Sequence, residues 1–167
     1  FSEERGFLYS VDDQVTPTHS GDCTPCTLRA GEEATKAIME DRRLFDPSVV
    51  AGKMPRSNDD FICGAGRSSA FIRANGDVTP CARLNILLGN ILKDSFKTIW
   101  LESENRKRLM SMRWGDLPYC SKCELNWICP RCPAVALTEH GEITEKSEIA
   151  CSKAKILATI FSENNPK

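Results

Sequence analysis

Residues 120–132 read CSKCELNWICPRC and place four cysteines, Cys120, Cys123, Cys129 and Cys132, within thirteen positions. Two residues between paired cysteines let both sulfurs point into one concave turn, the geometry that a metal ion or an iron–sulfur cluster needs. The wider segment, residues 114–142, shows little apolar periodicity and is predicted to be a loop held by its ligands. Metal or cluster ligation is therefore the first hypothesis for this stretch.

Cysteine is frequent in the whole chain, with nine in 167 residues. Cys23 and Cys26 form a third C-x-x-C pair, and single cysteines lie at Cys63, Cys81 and Cys151. An odd count leaves one thiol over in a disulfide framework, and no secretory signal is visible, so disulfides are disfavoured. All-thiolate ligation suits both zinc and a 4Fe–4S cluster, and composition leaves the two open.

The rest of the composition excludes several classes of function. The formal charge is −1, with 22 basic and 23 acidic residues, so a nucleic-acid or membrane-surface partner is not expected. No apolar run approaches the ~20 residues of a membrane helix, and we expect a cytoplasmic protein. The two histidines, His19 and His140, both lie in turn-like sequence and are expected to be solvated rather than ligands.

The clearest local signal is a β-hairpin between Cys63 and Cys81. Residues 71–74 and 77–79 flank Asn75-Gly76, a dipeptide that favours a type I′ turn with two positive φ angles. Pairing of the two strands should bring Cys63 and Cys81 near one another. A further short strand is predicted at residues 7–11.

Apolar periodicity predicts helices over residues 28–44, 94–113 and 145–161, the second capped by Asp94 or Ser95 and the third carrying Cys151 in its first turns. Residues 46–60 are rich in turn formers and form the best linker candidate. The expected fold is α+β: a small irregular domain stapled by clusters, with a β-hairpin and about three helices. Two regions are expected, residues 1–60 and residues 61–167.

The order of the cysteines from Cys63 onward is more specific than their number. Cys63 is followed by Gly76 and Cys81, then by the four cysteines of residues 120–132, and finally by Cys151. This order resembles the seven-cysteine signature of the SPASM domain, the C-terminal auxiliary iron–sulfur domain of radical S-adenosylmethionine peptide and protein maturases. The segments IRANGDVTPC (72–81), LGNI (88–91) and SFKTIW (95–100) are similar too. One departure is the spacing of Cys129 and Cys132, two residues apart where the family usually has three.

The resemblance implies two auxiliary 4Fe–4S clusters with interleaved ligands. The first cluster would take Cys63, Cys81 and Cys132; the second would take Cys120, Cys123, Cys129 and Cys151. Seven ligands leave one of eight iron sites without a thiolate. Three alternatives remain open for it: Cys23 or Cys26, an open iron that binds substrate, or another residue such as Asp59 or Asp60.

The resemblance also implies partners and an enzymatic context. No C-x3-C-x2-C loop for the S-adenosylmethionine cluster occurs here, so the chain is not expected to start a radical reaction alone. It is expected to be the C-terminal piece of a longer enzyme, with residues 1–60 the end of a partial (β/α) barrel. The third 4Fe–4S cluster and S-adenosylmethionine would belong to the missing part. Expected partners are that barrel, a peptide or protein substrate, and an electron donor such as a flavodoxin or ferredoxin.

Within that context the clusters would relay electrons or anchor substrate. Arg67, Arg73, Arg83 and Arg131 lie near ligand cysteines and could tune the cluster potential, although surface ion pairs are the commoner role of such arginines. Two other functions stay open. One is a non-enzymatic zinc module that organises a partner interface, and the other is a stand-alone iron–sulfur electron carrier.

Overall fold

The computed structural model describes residues 2–7, 11, 14–18, 21–46 and 54–164. Most of the predicted strand at 7–11, His19, and residues 47–53 of the predicted linker lie outside the described residues. The described part contains five α-helices and one three-stranded antiparallel sheet, which confirms the α+β class. In chain order the elements are α1 (Glu32–Glu40), β1 (Phe71–Ile72), β2 (Asp77–Thr79), β3 (Gly89–Asn90), α2 (Phe96–Glu102), α3 (Glu104–Ser111), α4 (Pro133–His140) and α5 (Glu148–Asn164).

The predicted hairpin is present, but its turn differs from the expected type. β1 pairs with β2 in the register Phe71↔Thr79 and Ile72↔Val78. Among the described residues only glycines have positive φ, and Gly76 has φ 85°, so the type I′ prediction, which also needs a positive φ at Asn75, is wrong. The loop is instead one residue longer and needs the left-handed conformation only at its last position, where glycine adopts it without strain.

The third strand, β3, was not predicted. Its packing against α2 explains why residue 89 is a glycine. β3 lies beside β2 with the register Asp77↔Asn90 and Val78↔Gly89. A Cβ at Gly89 would come within 2.8 Å of the Ile99 side chain on α2, so only glycine permits this close approach of helix and sheet. Val78, Leu88 and Ile99 form the small core that results.

The predicted helix over 94–113 is two helices. Ser95 caps α2 as expected, its hydroxyl accepting from the Thr98 N–H at 3.1 Å. Ser103 then has an extended backbone, and its hydroxyl accepts from the Arg106 N–H at 3.5 Å as the cap of α3. A serine in mid-pattern thus ends one helix and begins the next. Arg106 Nε–H donates to the Gly66 carbonyl at 2.7 Å and ties α3 to the segment after Cys63.

The prediction of a loop over 114–142 is wrong for its last third, which forms α4. Pro133 occupies the first turn of α4, where a missing N–H costs nothing, and Gly141 ends the helix with φ 78°. His140 therefore closes a helix rather than lying in a free turn, and it is exposed. The consequence for the cysteines is that Cys132 stands at the N-terminal cap of a helix.

The first and third predicted helices are present, but both begin a few residues later than predicted, and α1 also ends earlier, at Glu40. A 3-10 helix (Thr24–Leu28) precedes α1, and α5 begins at Glu148, after Ser147, whose buried hydroxyl accepts from the Ala150 N–H. The apolar faces of α1 and α5 pack together in a core of Met39, Ile128, Ala154, Ile156, Leu157 and Ile160. The larger core lies around the cysteines: Ile62, Ala65, Leu84, Leu109, Trp114, Leu117, Cys120, Ala134 and Ile143.

None of the described helices combines the length and the apolar character that crossing a membrane requires.

Candidate metal centre

Three of the predicted ligands share one environment. Cys63, Cys81 and Cys132 are partly buried, and all three pack against the core cluster that also contains Cys120 and Trp114. These are the three cysteines expected for the first cluster. Three separate chain segments deliver them: the stretch before β1, the end of the hairpin and the start of α4.

Backbone donors face the sulfurs of the first two of these cysteines. The Ala65 N–H lies 3.4 Å from Cys63 Sγ, and the Leu84 N–H lies 3.3 Å from Cys81 Sγ. The Gly66 N–H donates to the Pro80 carbonyl at 3.2 Å and joins the two segments directly. Hydrogen bonds from N–H groups to ligand sulfur are among the features that tune an iron–sulfur cluster, so this arrangement suits its ligands.

The other four predicted ligands interact electrostatically with one another. The pKa of the Cys129 thiol is raised to about 11: burial is the largest cause, a backbone hydrogen bond from Arg131 opposes it, and the neighbouring Cys151, Cys120 and Cys123 add to it. Four thiols this close cannot all ionise without a compensating positive charge, because each thiolate disfavours the next. A bound metal supplies that charge.

Cys151 belongs to the same group. Burial raises the pKa of Cys151 first, Cys120, Glu148 and Cys123 raise it further, and Lys146 lowers it. The Cys151 backbone N–H donates to the Ser147 carbonyl at 2.9 Å, so the first turn of α5 holds this cysteine in place. Cys120 packs in the core of the first predicted set and also acts on the pKa of Cys129 and Cys151, so the two predicted sets adjoin at this residue.

The remaining pair, Cys23 and Cys26, has different neighbours. Burial raises the pKa of Cys26, and Arg29, Cys23 and Glu139 also act on it, whereas none of the other seven cysteines contributes. Cys23 is exposed at the start of its 3-10 helix. The Arg29 guanidinium lies 3.7 Å from the carboxylate of Glu139, in the last turn of α4, which is the opposite end of that helix from Cys132.

The donor set fits an iron–sulfur cluster by its chemistry and by its unpaired donors. Each of the nine cysteines is a free thiol. Two residues have buried donors without a partner: Trp114 at Nε1, and Arg131 at Nε and Nη1. Trp114 belongs to the core against which Cys63, Cys81 and Cys132 pack, and Arg131 directly precedes Cys132 in the chain. Buried N–H groups are nearly always paired, and the anionic sulfurs of a cluster are acceptors of the kind these groups lack.

The arrangement of the described side chains does not suit a single metal ion. Within the described ranges, no three histidine, cysteine, aspartate or glutamate side chains converge closely enough to hold one metal ion. In a cubane cluster each thiolate binds a different iron, so its ligands surround a volume rather than a point.

Of the other candidate residues, all except Arg131 are exposed or half-buried. Asp59 and Asp60 are exposed, and Asp60 Oδ2 accepts from the Ser57 N–H at 2.8 Å. Arg67 stacks over Phe61 at 4.4 Å, Arg73 Nη2 donates to Asn85 at 3.0 Å, and Arg83 Nη1 donates to Gln14 at 2.8 Å. Arg131 alone of the four arginines is buried, at 7% exposure. Sequence reasoning gave Trp114 no role at the site, since only its burial with four cysteines reveals one.

Comparison with known proteins agrees with the cysteine order. Residues 63–124 match the SPASM family, described as an iron–sulfur cluster-binding domain. Three AdoMet-dependent heme synthases are similar: that of Methanosarcina barkeri is 32% identical over 85 residues (50% of this chain, 24% of the relative). Those of Nitratidesulfovibrio vulgaris and Oleidesulfovibrio alaskensis are 30% and 32% identical over 80 and 79 residues (48% and 47% of this chain, 22% and 20% of the relatives).

The chain thus spans a quarter or less of the length of these relatives. No solved structure matches it. The matched segment carries Cys63, Cys81, Cys120 and Cys123, the three strands, and the helices α2 and α3. Residues 63–124 are thus the part of the chain that is similar to the SPASM iron–sulfur cluster-binding domain.

Proposed function

We propose that this chain is the auxiliary iron–sulfur domain of a radical S-adenosylmethionine enzyme and holds two 4Fe–4S clusters. The first would be bound by Cys63, Cys81 and Cys132, and the second by the four thiols that interact with one another in the structure. Two observations support the proposal: Cys63, Cys81 and Cys132 pack against one core, and Cys120 and Cys123 act electrostatically on Cys129 and Cys151, within and after the segment that matches the SPASM family. When bound, such clusters supply one-electron transfer.

The chain's own residues then have defined tasks. The thiolates bind iron, the N–H groups of Ala65, Leu84 and Arg131 donate to their sulfurs, and Trp114 and its apolar neighbours exclude water. Hydrogen bonds and burial set the potential of an iron–sulfur cluster. The site is therefore suited to exchanging electrons with, or anchoring, a substrate that the rest of the enzyme has activated.

The placement of Cys23 and Cys26 favours one answer to the question of the eighth ligand. Arg29, Cys23 and Glu139 act on the pKa of Cys26, none of the other seven cysteines is among the causes of its shift, and Cys23 is exposed. We therefore favour an iron in the first cluster that carries no protein thiolate and is open to an exogenous ligand. Residues 1–60 are proposed to continue a (β/α) barrel, and residues 61–167 to form the auxiliary domain.

Elemental analysis tests the proposal. The chain is purified without oxygen and assayed for iron, acid-labile sulfide and zinc. Two cubane clusters require about eight irons and eight sulfides per chain, since each cubane holds four of each. One or two zinc ions without sulfide would instead support the zinc-module alternative and overturn the cluster proposal.

Two substrate classes compete. The SPASM resemblance favours a peptide or protein that undergoes maturation. The three similar proteins are named AdoMet-dependent heme synthases, which favours a reaction that ends in heme. Full-length protein incubated with S-adenosylmethionine and a reductant distinguishes them: heme absorbance from a porphyrin precursor supports the second class, and a mass change of a candidate peptide supports the first.

A further inference from the structure

Arg131 is a buried cation in an unusual position. Its side chain is 7% exposed, and it stands between Cys129 and Cys132, which belong to different proposed ligand sets. Its Nη2 donates to the carbonyls of Ile143 and Glu145, the latter at 2.8 Å. These two bonds tie it to the segment between α4 and α5 and account for one of its three nitrogens.

The other two nitrogens have no partner. Nε and Nη1 are buried without an acceptor, and no carboxylate of the described residues forms an ion pair with the guanidinium. A buried charge without an anion is strongly unfavourable, and unpaired buried donors add to the cost. Folding tolerates such a group where an anion comes to face it. The anions expected here are the thiolates and sulfides of the cluster site, because Arg131 stands between Cys129 and Cys132 and its Nη2 donates to the carbonyl of Ile143, a member of the core against which Cys63, Cys81 and Cys132 pack.

A purely structural role explains only part of this geometry. Joining α4 to the following segment needs the Nη2 contacts alone, and a neutral donor would serve that purpose without burying charge. The arginines near Cys63 and Cys81 differ in this respect: Arg67 and Arg83 are exposed, and water screens their charge.

We infer that Arg131 is the buried counter-cation of the iron–sulfur site and donates from Nε and Nη1 to cluster sulfur, an inference that rests on the proposed function. Its consequence is electrostatic. Each one-electron reduction adds one negative charge beside the guanidinium, and a buried cation stabilises the more negative state. Arg131 therefore acts as a positioning residue that raises the reduction potential, and it touches no substrate.

The test is a redox titration of the full-length protein, followed by EPR, in wild type, Arg131→Gln, Arg131→Lys and the control Arg67→Gln. The control removes the same charge from an exposed arginine four positions after Cys63. We expect Arg131→Gln to lower the equilibrium constant for one-electron reduction at least tenfold, a shift of about 59 mV to more negative potential. Arg131→Lys, which keeps the charge, should shift less, and Arg67→Gln should shift least.

The outcomes separate the two proposals. A wild type without iron overturns the proposed function and this inference with it. Iron-loaded Arg131→Gln with a potential no lower than that of Arg67→Gln overturns the inference and leaves the proposed function standing. Should both Arg131 variants fail to hold iron, urea unfolding of the iron-free proteins decides: an unchanged midpoint supports a role tied to the cluster, and a lowered midpoint shows a structural one.

Discussion

The C-x-x-C pairs Cys23/Cys26 and Cys129/Cys132 have the same spacing but different surroundings. The first lies on a short 3-10 helix, with Cys23 exposed and Leu28 80% exposed. The second is preceded by Ile128 at 2% exposure and leads into the buried first turn of α4. Spacing alone therefore does not identify a ligand. What distinguishes the second pair is that distant segments bring further thiols, N–H donors and apolar walls to it.

The two pairs should differ most in how the loss of one thiol affects iron content. Cys129→Ala is expected to lose about four of the eight irons proposed per chain, because one cubane loses a ligand within a set of four. Iron and sulfide analysis after anaerobic purification measures the loss. Cys26→Ala is the control with the same chemical change, and full iron in Cys129→Ala would refute the assignment of that ligand set.

The packing around the two pairs should differ in energy. Ile128→Ala is expected to lower the free energy of unfolding by about 2–5 kcal/mol, since it leaves a cavity in the core shared with α5. Leu28→Ala removes an exposed side chain beside Cys26 and should change stability by less than about 0.5 kcal/mol. Urea unfolding of the iron-free chains compares the two. Equal costs would mean that the first pair is as well packed as the second.

The two pairs should also differ in how the reactivity of their thiols depends on pH. In the iron-free chain the pKa of Cys129 is raised to about 11 from an ordinary value of 9.0. Since only the thiolate reacts, at pH 8 Cys129 should carry about a hundredfold less reactive form than an unperturbed thiol, and burial slows it further. Its alkylation rate should therefore keep rising up to about pH 11. Mass spectrometry after timed iodoacetamide treatment follows it, with Cys23 as the exposed reference, and equal rates at pH 8 would contradict the burial of Cys129.

The smallest expected effect is at the first pair itself. Cys23→Ala and Cys26→Ala should each leave iron content and the cluster spectrum unchanged, because Cys23 is exposed and none of the seven proposed ligands is among the groups that shift the pKa of Cys26. Electronic absorption and EPR spectra of the two variants check this. An altered spectrum in either one would make that residue the eighth ligand.

Local features of the fold followed from local sequence. The hairpin was predictable because strand-forming residues flank Asn75-Gly76, and Ser95 because a hydroxyl precedes a helical pattern. The turn type was not, because the loop length depends on how Val78 packs against β3 and α2. The helix α4 was overlooked because its flanking cysteines suggested a loop, although Pro133 and Gly141 mark its two ends.

At the candidate site, too, local sequence predicted some features and long-range packing decided others. Cysteine order was enough to predict the match to the SPASM family, and the two interleaved ligand sets that the resemblance implies stay a prediction. It could not single out Arg131, since Arg67 and Arg83 have the same charge and a similar distance in sequence from a cysteine. Burial distinguishes them, and the burial of Arg131 depends on the segment between α4 and α5, which is far along the chain from the hairpin of β1 and β2.

The place of Cys132 at the cap of α4 limits how far the two proposed clusters can separate. Cys129 and Cys132 are three residues apart, and three residues of fully extended backbone span no more than about 11 Å. Any rearrangement of the surrounding domains must carry both ligand sets as one unit. If the proposed function holds, electron transfer between the two clusters would be insensitive to motions elsewhere, and the variable distance would lie between this unit and whatever exchanges electrons with it.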